Sequence, residues 1–466
     1  MPRSTPAAGL RLREYVGYAL GDTASNLFFQ TFNIFLIYYY VDVWGLAAAS
    51  VGTMMIVVRL FDAVNDPVMG LICDRTRTRW GKYRPYLLIM AVPYGVCGYL
   101  VFANPDLSDG GKLVYAYATY TAMLVAYTAI NVPYCAMLGV ISPSSRTRSV
   151  ASSFRFVGAF TGGFLITLFV RPLVAELGGG DDVQGFQYTM AIFAVASIVL
   201  FGLTFVWTKE RVEPPANQRT NVREELGELG RNRPWVILLF AAVFSTTFII
   251  LRAGSTLFYF KYVVGDDGTP ILLNRLDAST VFLSSGMLCQ ILGTATFGFF
   301  ARLADKRRSA IALTMVTAVA YGLFFILPAD NFPLLLLMNG IGAFAMGPTS
   351  ALVWAMYADV ADYGEWKFGR RSTALVYSAS LFSLKTGSMI AGWLTPLFLA
   401  SFGFVRDAEQ TPRAILGITL AFSLGPFVFA TLKALAIWIY PLNQKEVDRI
   451  EQELAARRAA PAPTAT

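Results

Sequence analysis

Apolar residues in this chain run in blocks of roughly 20 or more, separated by short stretches of polar and charged positions. A block of that length, wound at 1.5 Å per residue, crosses the ~30 Å hydrocarbon core of a bilayer as helix. In the first half the blocks lie near 17–41, 50–72, 84–104, 113–140, 150–170 and 187–208. In the second half they lie near 234–262, 278–301, 309–328, 332–356, 373–401 and 413–440. One long polar segment, TKERVEPPANQRTNVREELGELGRNR, separates six blocks from six. The pattern predicts an all-α membrane protein with twelve transmembrane helices in two six-helix, pseudo-symmetric halves. Its expected parts are an N-terminal bundle over 1–207, a linker over 208–233, a C-terminal bundle over 234–440 and a tail over 441–466.

Composition supports this plan and removes others. Of 466 residues, 55% are hydrophobic and 15% charged, against about 25% charged in soluble domains. Disorder, a coiled coil and an ordinary soluble enzyme are excluded. The chain has no histidine, so histidine proton relays, His-based zinc sites and Ser-His-Asp triads are excluded too. Cys73, Cys97, Cys135 and Cys289 show no metal spacing and no disulfide framework. The opening MPRSTPAAGLRLREY lacks an apolar core, so no cleavable signal peptide is expected.

The formal charge of +8 is informative through its placement. With the N-terminus inside, 27 of the Lys and Arg residues fall in inner segments and 6 in outer loops. That bias predicts a multi-pass protein of the inner (cytoplasmic) membrane with both termini in the cytoplasm. It argues against nucleic acid, because the cations are spread over short loops and form no single basic face. A weak repeat fits the same plan. Gly70-Leu-Ile-Cys-Asp74-Arg75 ends the second span, and Gly298 leads to Asp305-Lys306-Arg307-Arg308 after the eighth. Two six-helix halves with a site between them are a transporter architecture.

Ionisable residues inside the spans cost at least ~2.5–3.5 kcal/mol each on insertion scales and are functional candidates. The densest group is Arg59-Leu-Phe-Asp62-Ala-Val-Asn65-Asp66-Pro67. Asp62 falls about 12 residues, or ~18 Å, into its span. Asp62 and Asp66 are four apart and share one helix face. Two carboxylates stacked in a low dielectric favour a bound cation or a retained proton; the alternative is an Arg59–Asp62 pair with Asp66 capping a helix. Thr128 and Asn131 offer neutral oxygens a turn apart, beside Pro133, as a ligand set or a polar kink. Arg155 stands early in the fifth span, where it either faces the interior or snorkels. Lys385, about 12 residues into the eleventh span, is expected to line a central cavity. Arg252 is a candidate substrate contact or outer-gate partner. Asp22, Asn26 and Gln30 share a face of the first span with its aromatics, a wall on which a sugar ring could stack.

These residues form strings that resemble the glycoside–pentoside–hexuronide:cation symporters, a branch of the major facilitator superfamily that includes the bacterial melibiose permease. The strings are Gly21-Asp22-(x)3-Asn26, Tyr38-Tyr-Tyr-Val-Asp42-Val-Trp-Gly-Leu, Arg59-Leu-Phe-Asp62-Ala-Val-Asn-Asp66-Pro-Val-Met-Gly70 and Asp74-Arg-Thr-Arg-Thr-Arg-Trp-Gly81-Lys82-Tyr-Arg84-Pro85. Asn131-Val-Pro-Tyr134, Arg155-Phe and Asp359-(x)2-Asp362-Tyr-Gly-Glu365, leading to Arg370-Arg371 and Lys385, complete the series.

The resemblance implies that Asp62, Asp66 and Thr128, with Asn131 nearby, hold the coupling cation. Asp62 and Asp66 would be the metal ligands if the ion is Na+. It implies that Asp22, Asn26, Asn131, Cys135, Arg155 and Lys385 line or border the substrate site. It implies an inner gate built from Asp74, Arg75, Asp305, Arg307, Asp362, Glu365 and Arg371, joined by Asp359. The chain departs from the permease at Asn26 and Asn131, where that protein carries acids, and at Cys135, where it carries a stacking aromatic. The departures argue against an α-galactoside and tilt the coupling ion from Na+ toward H+. The expectation is a secondary active transporter working as a monomer by alternating access. It would take a sugar or glycoside together with a monovalent cation in the lipid bilayer, with no cofactor besides that ion. A lysolipid or similar amphiphile is the rival cargo. A membrane enzyme or sensor is disfavoured, since the sequence offers no nucleophile–base pair, metal cluster or output domain.

Overall fold

The computed structural model describes residues 10–142, 145–211, 230–273, 275–296, 305–368, 373–406 and 408–459. Among the described residues the chain is helical, with no strand beyond two isolated bridges, Thr78 to Gly81 and Leu272 to Leu276. In chain order the helices are α1 (Leu12–Thr31), α2 (Ala48–Arg75), α3 (Arg84–Ile89), α4 (Ala91–Leu100), α5 (Asp109–Val140), α6 (Ser145–Gly178) and α7 (Asp182–Trp207). They continue with α8 (Arg233–Tyr259), α9 (Ala278–Ala295), α10 (Lys306–Gly322), α11 (Phe332–Phe368), α12 (Thr373–Ser401), α13 (Pro412–Phe422), α14 (Leu424–Trp438) and α15 (Gln444–Ala459). Eight helical segments among the described residues are long and apolar enough to cross a membrane.

Local sequence explains the helix ends. Glu14 accepts the Arg11 backbone N–H at 2.9 Å and so satisfies the backbone at the start of α1. Asp181 caps α7 through the N–H groups of Val183 and Gln184. The turn before it needs positive φ at two successive positions, filled by Gly179 and Gly180. Asp305, a gate candidate by sequence, caps α10 by accepting the Arg307 N–H at 3.2 Å. After α1 the chain runs on through two π-helical turns, Phe32–Leu36 and Tyr39–Val43, so the first span ends at Val43 and carries Asp42 to its tip.

The chain packs as two compact units. The first comprises Met1–Asn217, Ala253–Met287 and Gly392–Gly417; the second comprises Gln218–Arg252, Leu288–Ala391 and Ile418–Thr466. In the first unit, glycine brings backbones together. A Cβ on Gly158 of α6 would overlap the Ala19 carbonyl of α1. One turn on, a Cβ on Gly162 would lie 2.9 Å from both the Thr23 carbonyl and the Asn26 Cβ. This is small-residue packing of the kind that joins helices in lipid, where apolar burial against hydrocarbon tails drives little. Thr23 donates to the Gly158 carbonyl at 3.0 Å across the same seam.

In the second unit, Leu238, Leu352, Met356, Tyr357, Val360 and Ile437 form a buried core with Val447, Ile450 and Leu454 of α15. The segment after 441, expected from sequence only as a tail, is therefore partly an amphipathic helix seated on this unit. Trp366 donates to Glu453 at 2.6 Å to hold it there.

Candidate functional site

The α1–α6 seam sets the first cluster. Arg155 lies one turn before Gly158, and Asp22 lies one residue before Thr23. The close approach at Gly158 and Gly162 therefore carries the two charged side chains together: Arg155 Nε donates to Asp22 Oδ2 at 3.1 Å. The Arg155 guanidinium also stands 5.5 Å from the centre of the Tyr134 ring. Tyr134 and Tyr18 stack at 4.8 Å and each hydroxyl donates to the other's backbone carbonyl. Asn26 donates to the Asp22 carbonyl at 2.9 Å. Arg155 is thus paired inside the unit and does not reach for the surface.

The second cluster joins α2 to α5. Asp62 is 2% exposed, and Thr128 donates to its Oδ1 at 3.2 Å. One turn along α5, Asn131 accepts from Ser25 at 3.3 Å, while its Nδ2 is buried with no hydrogen-bond partner among the described residues. Arg59, one turn before Asp62, stands 6.0 Å from the Tyr120 ring centre. Pro133 falls inside α5 next to these groups, where a proline removes an intrahelical hydrogen bond. Cys135 is partly buried. The side chain of Asp66 lies outside the described residues.

A third cluster lies at the end of the helices that the charge pattern assigns to the outside; motif reading names its Asp42 but gives it no role and no partner. It ties the first span to segments more than 200 positions later. Lys261 Nζ donates to Asp42 Oδ2 at 2.5 Å, and the Tyr262 hydroxyl donates to the other carboxylate oxygen. Arg406 donates to the Val43 carbonyl at 2.8 Å. Arg171 of α6 pairs with Asp277 at 2.9 Å. Two neighbouring cavities, about 460 and 330 Å³, open beside these links and share Asp182 and Lys261. The signal that could have found the cluster is an acid at the end of one span and a cation at the end of another, on the same predicted side.

The second unit holds the remaining predicted residues. Lys385 is partly buried on α12. Arg252 is 6% exposed and sits within 3.8–4.4 Å of the ring centres of Tyr321, Phe324 and Phe422. Its guanidinium also donates to the Phe422 carbonyl at 3.0 Å. An arginine so enclosed by aromatic faces is held by the unit's own side chains. Lys306 donates to both oxygens of Asp359, at 2.9 and 2.8 Å. Arg307 donates to the Trp438 carbonyl, and Asp362 and Glu365 are partly buried on the last turns of α11. Of the remaining inner-gate candidates, Arg371 and the side chains of Asp74 and Arg75 lie outside the described residues.

No group of three or more His, Cys, Asp or Glu side chains that could hold a metal is found among the described residues. Asp62 and Thr128 together present hard oxygens, the donor type that Na+ takes.

The profile of the MFS/sugar transport protein family matches residues 17–444. An inner membrane symporter of Escherichia coli (strain K12) is 32% identical over 453 residues, 96% of this chain and 95% of that protein. An isoprimeverose transporter of Lactiplantibacillus pentosus is 34% identical over 449 residues, 95% of this chain and 90% of that protein. Among solved structures, a proton-dependent oligopeptide transporter superposes with a TM-score of 0.65 at 12% identity, covering 94% of this chain and 99% of that one. At that identity the likeness bears on the fold alone.

Proposed function

The chain belongs to the MFS/sugar transport protein family, a multi-pass membrane protein of secondary transport and not an enzyme, and from that premise we propose that it is a cation-coupled symporter of a sugar or glycoside working by alternating access. The twelve-span plan in two halves, the inner-membrane placement and both cytoplasmic termini belong to the same proposal. They rest on the apolar blocks and on the inward bias of the cations.

The observation that carries it is the buried Asp62 carboxylate with the Thr128 hydroxyl on Oδ1, on a helix that the apolar pattern assigns to the bilayer, where ionisable side chains are costly and functional candidates. A cation or proton arriving at Asp62 and Asp66 neutralises the site, which lowers the cost of enclosing it in low dielectric. Asp22 and Arg155, with Asn26, Asn131 and Cys135, would supply polar contacts for a glycoside, and Lys385 on α12 is a further candidate contact. A carboxylate accepts from adjacent hydroxyls, and a guanidinium donates to ring and hydroxyl oxygens. The Tyr18–Tyr134 stack fixes the platform beneath them. The Asp42–Lys261 and Arg171–Asp277 pairs would govern the outer side, and Asp74, Arg75, Asp305, Arg307, Asp362, Glu365 and Arg371 the inner side. The amphiphile reading finds no comparable observation in its favour.

The test is uptake into proteoliposomes with a panel of glycosides, pentosides and uronides under imposed Na+ and H+ gradients, each applied separately. Accumulation above the external level under one gradient is expected. Uptake that ignores both gradients removes the symport reading.

A further inference from the structure

The central linker opens with Thr208-Lys209-Glu210-Arg211, which by sequence is only part of a polar spacer. In the structure these residues are bound. One Glu210 oxygen accepts the backbone N–H groups of Tyr83 and Arg84, both at 2.8 Å, and the other accepts that of Lys82 at 2.9 Å. Gly81, at φ +112°, brings the loop against the carboxylate; a Cβ there would lie 2.5 Å from a Glu210 oxygen. Arg84 donates to the Phe205 carbonyl at 2.6 Å and covers the Phe205 ring at 4.6 Å, so it grips the last turns of α7 from the other side. Next in sequence, the Arg211 N–H donates to the Val140 carbonyl at the end of α5, at 2.8 Å. Its guanidinium pairs with Glu14 of α1 at 2.5 Å. Two consecutive residues thus tie together the α2–α3 loop, the end of α5 and the start of α1.

A carboxylate that takes three successive backbone N–H groups is a charge-assisted clamp, stronger per bond than a neutral contact and specific in direction. The loop it holds, from Thr76 to Arg84, has little regular structure of its own and follows directly on Asp74 and Arg75. One side chain therefore sets the course of the backbone at all three positions from 82 to 84.

We infer that Glu210 is a positioning residue for transport: it fixes the α2–α3 loop so that the inner-gate residues preceding it are presented in one geometry. The inference rests on the symport reading above and adds a residue to it. Glu210 touches neither cation nor sugar. It acts through the loop, so its loss slows the conformational cycle and leaves binding intact.

The experiment compares Glu210→Gln, Glu210→Ala and Glu210→Asp with the unsubstituted full chain in proteoliposomes and in hydrogen exchange read by mass spectrometry. Gln keeps size but sets an NH2 against N–H donors. Ala removes the acceptor, and Asp keeps the charge on a shorter stem. For Gln and Ala, the maximal rate of uphill uptake is expected to fall about tenfold, the effect of losing roughly one net hydrogen bond. The KM for sugar should stay within about twofold, a difference well under the ~1.4 kcal/mol of a tenfold change. Exchange should rise in peptides covering 78–86 and nowhere else, and Asp should recover part of the rate.

An unchanged rate in Glu210→Ala overturns the inference. So does faster exchange throughout the first unit with loss of sugar binding, which marks a residue that only holds the fold. If the unsubstituted chain accumulates no sugar under either gradient, the symport reading falls and takes the inference with it. A transporting wild type with an indifferent Glu210→Ala sinks the inference alone.

Discussion

Arg155 Nε donates to Asp22 Oδ2 over 3.1 Å, at a seam where glycine lets the backbones of α1 and α6 touch. The Asp22 side chain is 10% exposed and that of Arg155 27%. Removing one partner leaves the other charge largely buried, whereas removing both leaves a polar but neutral pocket. Asp22→Asn and Arg155→Gln should each destabilise the protein by about 1–3 kcal/mol, discounted for the partial exposure of Arg155. The double variant should be less unstable than the sum. Thermal melting of all three in detergent reads this out, and strict additivity would show that the pair contributes nothing.

Thr128 and Asp62 form the one predicted cation contact whose two side chains are both described, with 3.2 Å between Oγ1 and Oδ1. Asp62→Asn and Asp66→Asn should abolish accumulation against a gradient while leaving sugar exchange measurable, because only the ion-dependent step needs a titrating carboxylate. Thr128→Ala should keep coupling and raise the half-saturating cation concentration about tenfold, the cost of one hydrogen bond to a charged group. Counterflow and uphill uptake measured side by side separate these outcomes. Loss of both in a correctly folded Asp66→Asn would assign that residue to structure.

The helical membrane plan was legible because apolar runs long enough to cross a bilayer have few other uses. Thr128 was legible as a neutral ligand and Asp62 as a buried acid, but their pairing across 66 positions followed from the motif resemblance. The Asp22–Arg155 pair stayed hidden for a physical reason: which face of a helix a charge occupies depends on the glycine seam, and hydropathy does not register that. Asp42 and Lys261 were hidden differently. Each is an ordinary charge at a span end, and only the fold brings them together. For α15 the signal was present and unused, as Val447, Ile450 and Leu454 follow a helical repeat.

Asp42 is 2% exposed and takes both Lys261 and the Tyr262 hydroxyl. Lys261→Ala should leave that carboxylate under-compensated and favour arrangements in which water reaches it. A membrane-impermeant thiol reagent applied from outside should then label a cysteine placed at Leu257, which lines the larger cavity, several-fold faster than in the Lys261 background. Exchanging the two charges, Asp42→Lys with Lys261→Asp, should slow labelling again. Equal labelling in all three backgrounds would deny the pair any gating role.

Asp277 lies just outside its span and pairs with Arg171. Burial by itself would raise its carboxyl. Arg171 and the Thr280 hydroxyl and backbone N–H outweigh this, so it titrates below the ordinary 3.8. A carboxyl depressed by folding contributes fully above its unfolded value, and the contribution is lost only as pH falls through the folded value. Labelling of the outer cavity should therefore be flat from about pH 8 to about pH 5 and rise only below about pH 4. Any pH dependence of uptake near neutrality must then come from another group, and a labelling transition between pH 5 and 7 that vanishes in Asp277→Asn would refute this assignment.

Gly158 offers the sharpest test of the seam itself. A Cβ there meets backbone, the Ala19 carbonyl, which cannot rotate aside as a flexible side chain can. Gly158→Ala must push α6 away from α1, at about 1–3 kcal/mol for overpacking. The same shift lengthens the Thr23–Gly158 hydrogen bond and parts Arg155 from Asp22, so sugar affinity should fall together with melting temperature. Gly139, in α5, has nothing among the described residues within 4 Å of the place an added methyl would take, which makes Gly139→Ala the matched control. There the loss of backbone freedom in the unfolded chain should leave stability unchanged or raise it by up to about 1 kcal/mol. Should the two alanines behave alike in melting and in sugar binding, close backbone contact would not be what sets Arg155 against Asp22.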